Sequence, residues 1–360
     1  MRRGAIVRLV TLGVVLGLGA TALALFVPWL PEASSDQAEE IDFVFWFTTA
    51  ICIGIFSVVA AIAIYSVMKF RVPLDDEEDG LPIHGHTGIE IVWTVVPFIL
   101  VTAIGVVSAV ALARNDRLPA DHIVVNVLGR QFAWQFMYPP DNAPSPPKDE
   151  LECDQQAVKT RCITSTQLHL PLDVPVELRM RADDVIHSFW VPQFRQKQDM
   201  LPDQVTKIIV TPTKVGEYEV LCTELCGLGH SVMRSAAIVS TQADFDAWKR
   251  EAGRQNAPGG GANAGEAVFA QNGCASCHTL KAAGATGTVG PDLDELQQEA
   301  QKAGQPLEDF IRESIINPSG YVQPGYPNNV MPKTYANLPK QQLDALVQYL
   351  VQSSQGGSSR

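Results

Sequence analysis

The sequence predicts a multidomain, membrane-anchored protein: N-terminal transmembrane helices, then an all-β body, then an all-α domain. Three observations lead there. Apolar runs long enough to cross a bilayer are confined to the N-terminal third. Short stretches of alternating apolar and polar residues fill the middle. Helical periodicity returns only after a Gly/Ala/Pro/Asn-rich stretch at 251–264.

The elements follow in order. Residues 1–35 carry Arg2, Arg3 and Arg8 around an apolar run from Ile6 to Leu30. A basic start and an apolar middle fit either a cleaved signal peptide or a first transmembrane helix. Residues 41–114 read as a transmembrane hairpin. Its first run, Ile41 to Met68, ends at Lys69 and Arg71, which suits a cytoplasmic end. Its second run, Ile89 to Leu112, returns, so everything after Arg114 faces the extracytoplasmic side. Residues 116–245 read as a β-sandwich or barrel, with strand-like runs at Ile123–Tyr138, Val176–Arg181, Val205–Thr213, Gly216–Leu221 and Ser235–Ser240. The Pro-rich segment Asp141–Asp149 reads as a surface loop. The Gly-rich 251–264 stretch reads as a flexible linker. Residues 265–355 read as helical, with apolar spacing over Ala264–Gln271 and Gln341–Gln352.

The formal net charge of −12 argues against nucleic acid as a partner, because phosphate neutralisation needs a basic face. It favours a basic protein partner instead. The seven cysteines fall into an isolated Cys52 and three close pairs. Cys153 and Cys162 flank a loop on the oxidising side, which predicts a local disulfide. The other two pairs lie beside histidine and methionine, which reads as metal and cofactor chemistry.

Residues 222–233 read Cys-Thr-Glu-Leu-Cys-Gly-Leu-Gly-His-Ser-Val-Met. Cys222, Cys226, His230 and Met233 can converge from one loop. Two thiolates, an imidazole and a thioether form a soft donor set that suits copper. One cysteine serves a single copper, whereas two on one turn can bridge a pair of ions. A second histidine must then come from elsewhere, and His187 at a strand end is the candidate. Further on, Cys274-Ala-Ser-Cys277-His278 is a C-x-x-C-H motif. Two thioethers would attach a haem covalently and the next histidine would ligate its iron.

His187 with the Cys222–Met233 loop resembles the binuclear CuA copper site of cytochrome c oxidase subunit II. The resemblance implies a cupredoxin-like Greek-key fold. It assigns Cys222 and Cys226 as bridging thiolates, His187 and His230 as terminal ligands, Met233 as a weak ligand and Glu224 as a carbonyl ligand. The Glu224 carboxylate would also reach a magnesium site shared with subunit I, near Lys197 and Asp199. Glu90, in Glu90-Ile-Val-Trp93-Thr-Val-Val-Pro97, corresponds to the acid at the mouth of a proton-uptake channel. The strand Gly129–Pro139 resembles an aromatic strand where many relatives carry two tryptophans, the first accepting electrons. Here that first position is Phe132 and only Trp134 remains, so Trp134 is the candidate for the electron path.

The C-terminal domain resembles a class I cytochrome c. Met331-Pro resembles the distal-ligand motif, Gly290-Pro291-Asp-Leu293 the segment that packs near the haem, and Leu343, Leu346, Tyr349 and Leu350 the C-terminal helix. Together the resemblances imply a fused subunit II in a bacterial plasma membrane. It would take electrons from a soluble or membrane-bound cytochrome at its covalent haem c and pass them to copper. Subunit I, beside other oxidase subunits in lipid, would reduce oxygen and pump protons. Two rival readings are the copper subunit of a nitric oxide reductase and a stand-alone tethered electron carrier. The linker predicts a cytochrome domain that swings between donor and copper. Cys52, His122 and His169 read as ordinary structural residues, as does the His84-x-His86 pair.

Overall fold

A computed structural model describes residues 3–71, 82, 84–144, 146–147, 150–154, 161–255 and 264–356. The chain divides into a unit of N-terminal helices and a unit comprising residues 34–36 and 118–360.

The first unit holds α1 (Arg3–Phe26), α2 (Asp36–Phe70) and α3 (Thr87–Asn115), all long and apolar enough to cross a membrane. Their large apolar side chains, such as Leu18, Phe56 and Phe98, are exposed. A contiguous apolar surface of that kind needs a non-aqueous cover. Small residues let α1 approach α2: a Cβ on Gly17 would sit 3.1 Å from Ser57 Oγ and one on Gly13 would sit 3.7 Å from Ala61 Cβ. The start of α3 is capped reciprocally. His86 Nδ1 accepts from the Ile89 N–H at 3.3 Å, while Glu90 Oε1 accepts from the His86 N–H at 2.8 Å. Each bond satisfies a backbone donor that the first helical turn leaves free.

In the second unit, β1 (Ile123–Arg130), β2 (Ala133–Tyr138), β3 (Ile163–Ser165), β5 (Val176–Ala182) and β8 (Thr206–Val210) form one sheet in the order β3-β2-β1-β5-β8. The other sheet has the order β4-β10-β9-β6-β7, from β4 (Leu168–Pro171), β6 (His187–Trp190), β7 (Lys197–Met200), β9 (Gly216–Cys222) and β10 (Arg234–Ser240). Alternation along β5 places Leu178 and Met180 in the core with no exposed area, and Arg179 and Arg181 on the outer face. The outer face pairs Arg179 with Glu152 and Arg181 with Asp154. Val125, Val127, Phe136, Phe189, Val220 and Val239 join the same cluster. The strand-like run 123–138 reads as one strand, but the structure folds it into a hairpin, pairing Arg130 with Ala133. Cys153 and Cys162 form the expected disulfide.

Helix α4 (Gln242–Gln255) leaves the sandwich and runs into the stretch that composition marks as linker. Its Phe245 and Trp248 pack on the β core. Trp248 stacks on His169 at 3.9 Å between ring centroids. The Tyr138 hydroxyl closes the joint, accepting from the His169 N–H at 2.6 Å and donating to its carbonyl at 3.0 Å.

The C-terminal part holds α5 (Ala264–Gln271), α6 (Cys274–Cys277), α7 (Leu296–Ala303), α8 (Leu307–Ile316) and α9 (Lys340–Gly356). Helices α5 and α9 cross closely, because a Cβ on Gly265 would fall 2.2 Å from the Ala345 carbonyl oxygen. Glycine there permits a backbone approach that any side chain would block. Phe269, Phe310, Ile311, Leu346 and Leu350 make a second core.

Candidate metal centres

The loop after β9 folds back on the end of β6, because Phe189 pairs with Cys222 across the two strands. That register brings His187 to the loop. Cys222 Sγ lies 3.8 Å from His187 Nδ1 and 3.8 Å from Cys226 Sγ. Cys226 Sγ lies 3.6 Å from His230 Nδ1 and 3.9 Å from Met233 Sδ. The Glu224 carbonyl oxygen is 3.3 Å from Cys222 Sγ, and its side chain is exposed. His187 and Met233 have no exposed area. The two sulfurs stand well beyond the disulfide bond length of about 2.05 Å, so the pair is held open as thiols. Among the described residues, His187, Cys222 and Cys226 are a group of side chains whose ligand atoms all lie within 4.8 Å of one another. Thiol, imidazole and thioether at this spacing fit a soft metal.

The electrostatics favour a thiolate here. The Cys226 thiol stabilises a charge on the Cys222 sulfur, and with the His187 and backbone bonds this holds Cys222 well below the usual thiol range despite its burial. The same partnership, with burial, pushes Cys226 up. Burial works against a charged His187, but its bonds to Asp184 and Cys222 outweigh that and raise its pKa.

Sequence reasoning missed the residues behind these ligands. His187 Nε2 lies 2.9 Å from Asp184 Oδ1, which leaves Nδ1 toward the sulfurs. Gln131 donates its backbone N–H to Asp184 Oδ2 at 2.8 Å and its side-chain amide to the Cys226 carbonyl at 2.6 Å. The spacing of Asp184 and His187 on one strand approach was a legible signal. Gln131 gave none. Trp134, nearly fully buried, lies edge-on to His187 at 6.2 Å and to Phe189 at 5.6 Å. Glu90 lies on the membrane unit, and Lys197 and Asp199 lie exposed on β7.

The helical part encloses a second site. Cys274, Cys277, His278, Gly290, Pro291, Leu293 and Met331 all line one cavity, with Phe269, Phe310, Leu346 and Leu350 as apolar walls. His278 Nδ1 donates to the Pro291 carbonyl at 2.8 Å, since a carbonyl can only accept. That fixes the tautomer and leaves Nε2 as the free donor atom. A Cβ on Gly290 would fall 2.5 Å from the imidazole, so glycine is what lets the loop reach it. Burial lowers the His278 pKa and pushes Cys274 up to about 12, keeping both neutral. The apolar hollow, the two thiols and an oriented imidazole fit a covalently attached haem.

Membrane-spanning helices, a soft thiol–imidazole cluster in a β-sandwich and a C-x-x-C-H cavity define a membrane-anchored redox protein. Three family models match: "Cytochrome C oxidase subunit II, transmembrane domain" over residues 20–110, its "periplasmic domain" over 123–240, and "Cytochrome c" over 262–354. Cytochrome c oxidase subunit 2 of Thermostichus vulcanus is 32% identical over 62% of this chain and 78% of its own length. The Synechocystis subunit is 30% identical over 61% of this chain and 74% of its own. The Alkalihalophilus pseudofirmus subunit is 29% identical over 81% of each. The chain belongs to the cytochrome c oxidase subunit II family and carries a C-terminal cytochrome c domain. It is thus a subunit of a haem–copper oxidase, a membrane protein with a periplasmic-type domain that associates with other oxidase subunits.

Proposed function

We propose that the chain is the electron-receiving subunit of its oxidase, taking electrons from a soluble or membrane-bound cytochrome and handing them to subunit I. Bound in their sites, a covalent haem c would supply the first one-electron station and a binuclear CuA centre the second, with oxygen reduction and proton pumping on subunit I. The carrying observation is the convergence of Cys222, Cys226, His187, His230 and Met233 at successive separations of 3.6–3.9 Å, all around two sulfurs.

In this reading Cys222, Cys226, His187, His230, Met233 and the Glu224 carbonyl would together hold the copper, with the two thiolates shared between its ions, and the copper would supply a one-electron relay. Asp184 orients the His187 ring. Cys274 and Cys277 would hold the haem covalently, and His278 and Met331 would supply its iron ligands. Trp134 belongs to the electron path beside His187. The exposed Glu224 carboxylate, with Lys197 and Asp199, would help to hold a magnesium ion shared with subunit I. Glu90 marks the mouth of a proton-uptake channel, its carboxylate resting on the His86 N–H. The helices α1–α3 sit in lipid of a bacterial plasma membrane, with both centres outside. The net charge of −12 suits a basic donor.

The test is metal and haem analysis of the full chain with optical and electron-spin spectra. Copper shared equally between two ions, plus one covalent haem, is expected. Haem without copper after reconstitution would reduce the chain to a tethered cytochrome.

A further inference from the structure

We propose that the cytochrome fold docks on the copper fold in one fixed pose, pinned where Asn272 and Gly273 meet Arg130 and Ala133, with Phe132 touching both sites. The inference rests on the reading above that these sites hold haem and copper. It replaces the swinging domain that linker composition alone suggests.

The hairpin turn between β1 and β2 is the piece in the middle. On one side it is bonded to the copper loop. Gln131 holds the Cys226 carbonyl at 2.6 Å and Asp184 at 2.8 Å. The Phe132 ring lies against the same loop so tightly that a Cβ on Gly229 would fall 2.4 Å from it, and one on Gly227 would fall 3.0 Å from it. On the other side the turn meets the cytochrome. Phe132, only 5% exposed, lines the cavity that also contains Cys274, His278 and Met331. Arg130 Nη1 reaches Asn272 Oδ1 at 3.4 Å, while its other arm lies 3.3 Å from Asp183. A Cβ on Gly273 would fall 2.1 Å from the Ala133 Cβ, so the Ala133 methyl sits against the Gly273 backbone with no room there for a side chain.

Asn272 makes this a built contact. It is buried, and its remaining groups are taken. Its amide donates to the Val268 carbonyl at 2.8 Å, and its own carbonyl accepts from the Tyr335 hydroxyl at 3.0 Å. Tyr335 in turn lines the haem cavity. The residue that touches Arg130 is therefore bonded into the cavity wall, two positions before the first attachment cysteine. A freely swinging domain would return Asn272, Ala133 and Phe132 to water at every excursion. Exposing the apolar pair alone would forfeit their burial. Electron transfer falls steeply with distance, so a fixed pose also sets the rate. With Phe132 covered, an outside donor must deliver at the haem.

The experiment uses the assembled oxidase and reads the haem-to-copper transfer rate after flash reduction. Ala133→Arg wedges the contact while touching no ligand. A second variant doubles residues 256–263, the stretch between α4 and α5. If the pose is fixed, Ala133→Arg slows transfer at least about tenfold with haem and copper spectra unchanged, and the doubled linker leaves the rate within about twofold. A wild-type rate in Ala133→Arg, or a rate that falls with linker length, would overturn the proposal. Should Ala133→Arg lose its spectra, the linker variant decides alone. If wild-type protein itself lacks either spectrum, the functional reading fails and not the docking.

Discussion

In the β-sandwich, Cys222, Cys226 and Met233 belong to the hydrophobic core, packed with Phe189, Val220 and Phe194. In the helical part, Cys274, Cys277, His278 and Met331 line a hollow whose walls are core residues such as Phe269 and Phe310. The first site is a few donor atoms set into a finished core. The second is a core with its centre left for a group to fill. Close packing explains the contrast: a hollow lined by apolar atoms forfeits dispersion contacts unless something occupies it. The copper fold should therefore stand without its metal, and the cytochrome fold should depend on its haem.

The largest test of that contrast is Cys274→Ser with Cys277→Ser. Loss of covalent haem should cost more than about 5 kcal/mol, the whole margin of a small domain. Limited proteolysis should then digest residues 264–356 while the copper spectrum persists. A protease-resistant haem-free C-terminal domain would break the comparison. Next in size is Phe189→Ala. Phe189 has no exposed area and meets Trp134 and Phe136 edge-on. Its removal should destabilise the sandwich by about 3–5 kcal/mol in denaturant unfolding. A loss below about 1 kcal/mol would mean that the core collapses around the gap and is less finished than it looks.

Much of this was legible in sequence because the chemistry is local. The C-x-x-C-H motif, the 222–233 loop and the apolar runs each carry their meaning within a few residues of one another. The Cys153–Cys162 pairing was legible for the same reason. The hairpin at Arg130–Ala133 was hidden because Gly129 is its sole turn former and strand-forming residues resume directly after it at Phe132. Helix α4 had a signal that composition masked. Thr241 Oγ1 accepts from the Asp244 N–H at 3.3 Å and donates to the Asp244 carboxylate at 2.7 Å, a helix-start pattern three residues apart. Arg130 and Asn272 stand 142 positions apart, and no local rule links them.

Two smaller changes sharpen the view of the sandwich as self-sufficient. Removing the Cys153–Cys162 bridge closes no long loop, its ends being 9 residues apart, so chain entropy predicts a loss of about 2–3 kcal/mol. Thermal unfolding of Cys153→Ala with Cys162→Ala should show it, with the copper spectrum unaltered. A copper-free variant that loses more than the bridged protein would show metal and bridge to be coupled. Met233→Leu should cost less than about 1.5 kcal/mol, since the volume is nearly kept. Its copper spectrum should nonetheless change, because a thioether 3.9 Å from Cys226 Sγ has gone. An unchanged spectrum would remove Met233 from the ligand set.

The smallest expected effect concerns the joint between the two regions, where α4 rests on His169. Burial lowers the His169 pKa from 6.5 to about 4. The unfolded chain therefore takes up this proton as pH falls through about 6.5, and the folded chain not until about 4. The unfolded state binds more protons across that window, so stability is full above it and declines on acidification through it. The shift sets a ceiling of about 3.4 kcal/mol. The ring is partly exposed, and solvent screening brings the expected loss nearer 1 kcal/mol. Stacking on Trp248 offsets some of that, because an imidazolium over an indole face is attracted to it. Denaturant unfolding of wild type and His169→Gln at pH 7 and pH 5 separates these contributions. Wild type should lose about 1 kcal/mol more than the variant on acidification. Parallel losses would mean that another group carries the acid sensitivity and that His169 anchors α4 by packing alone.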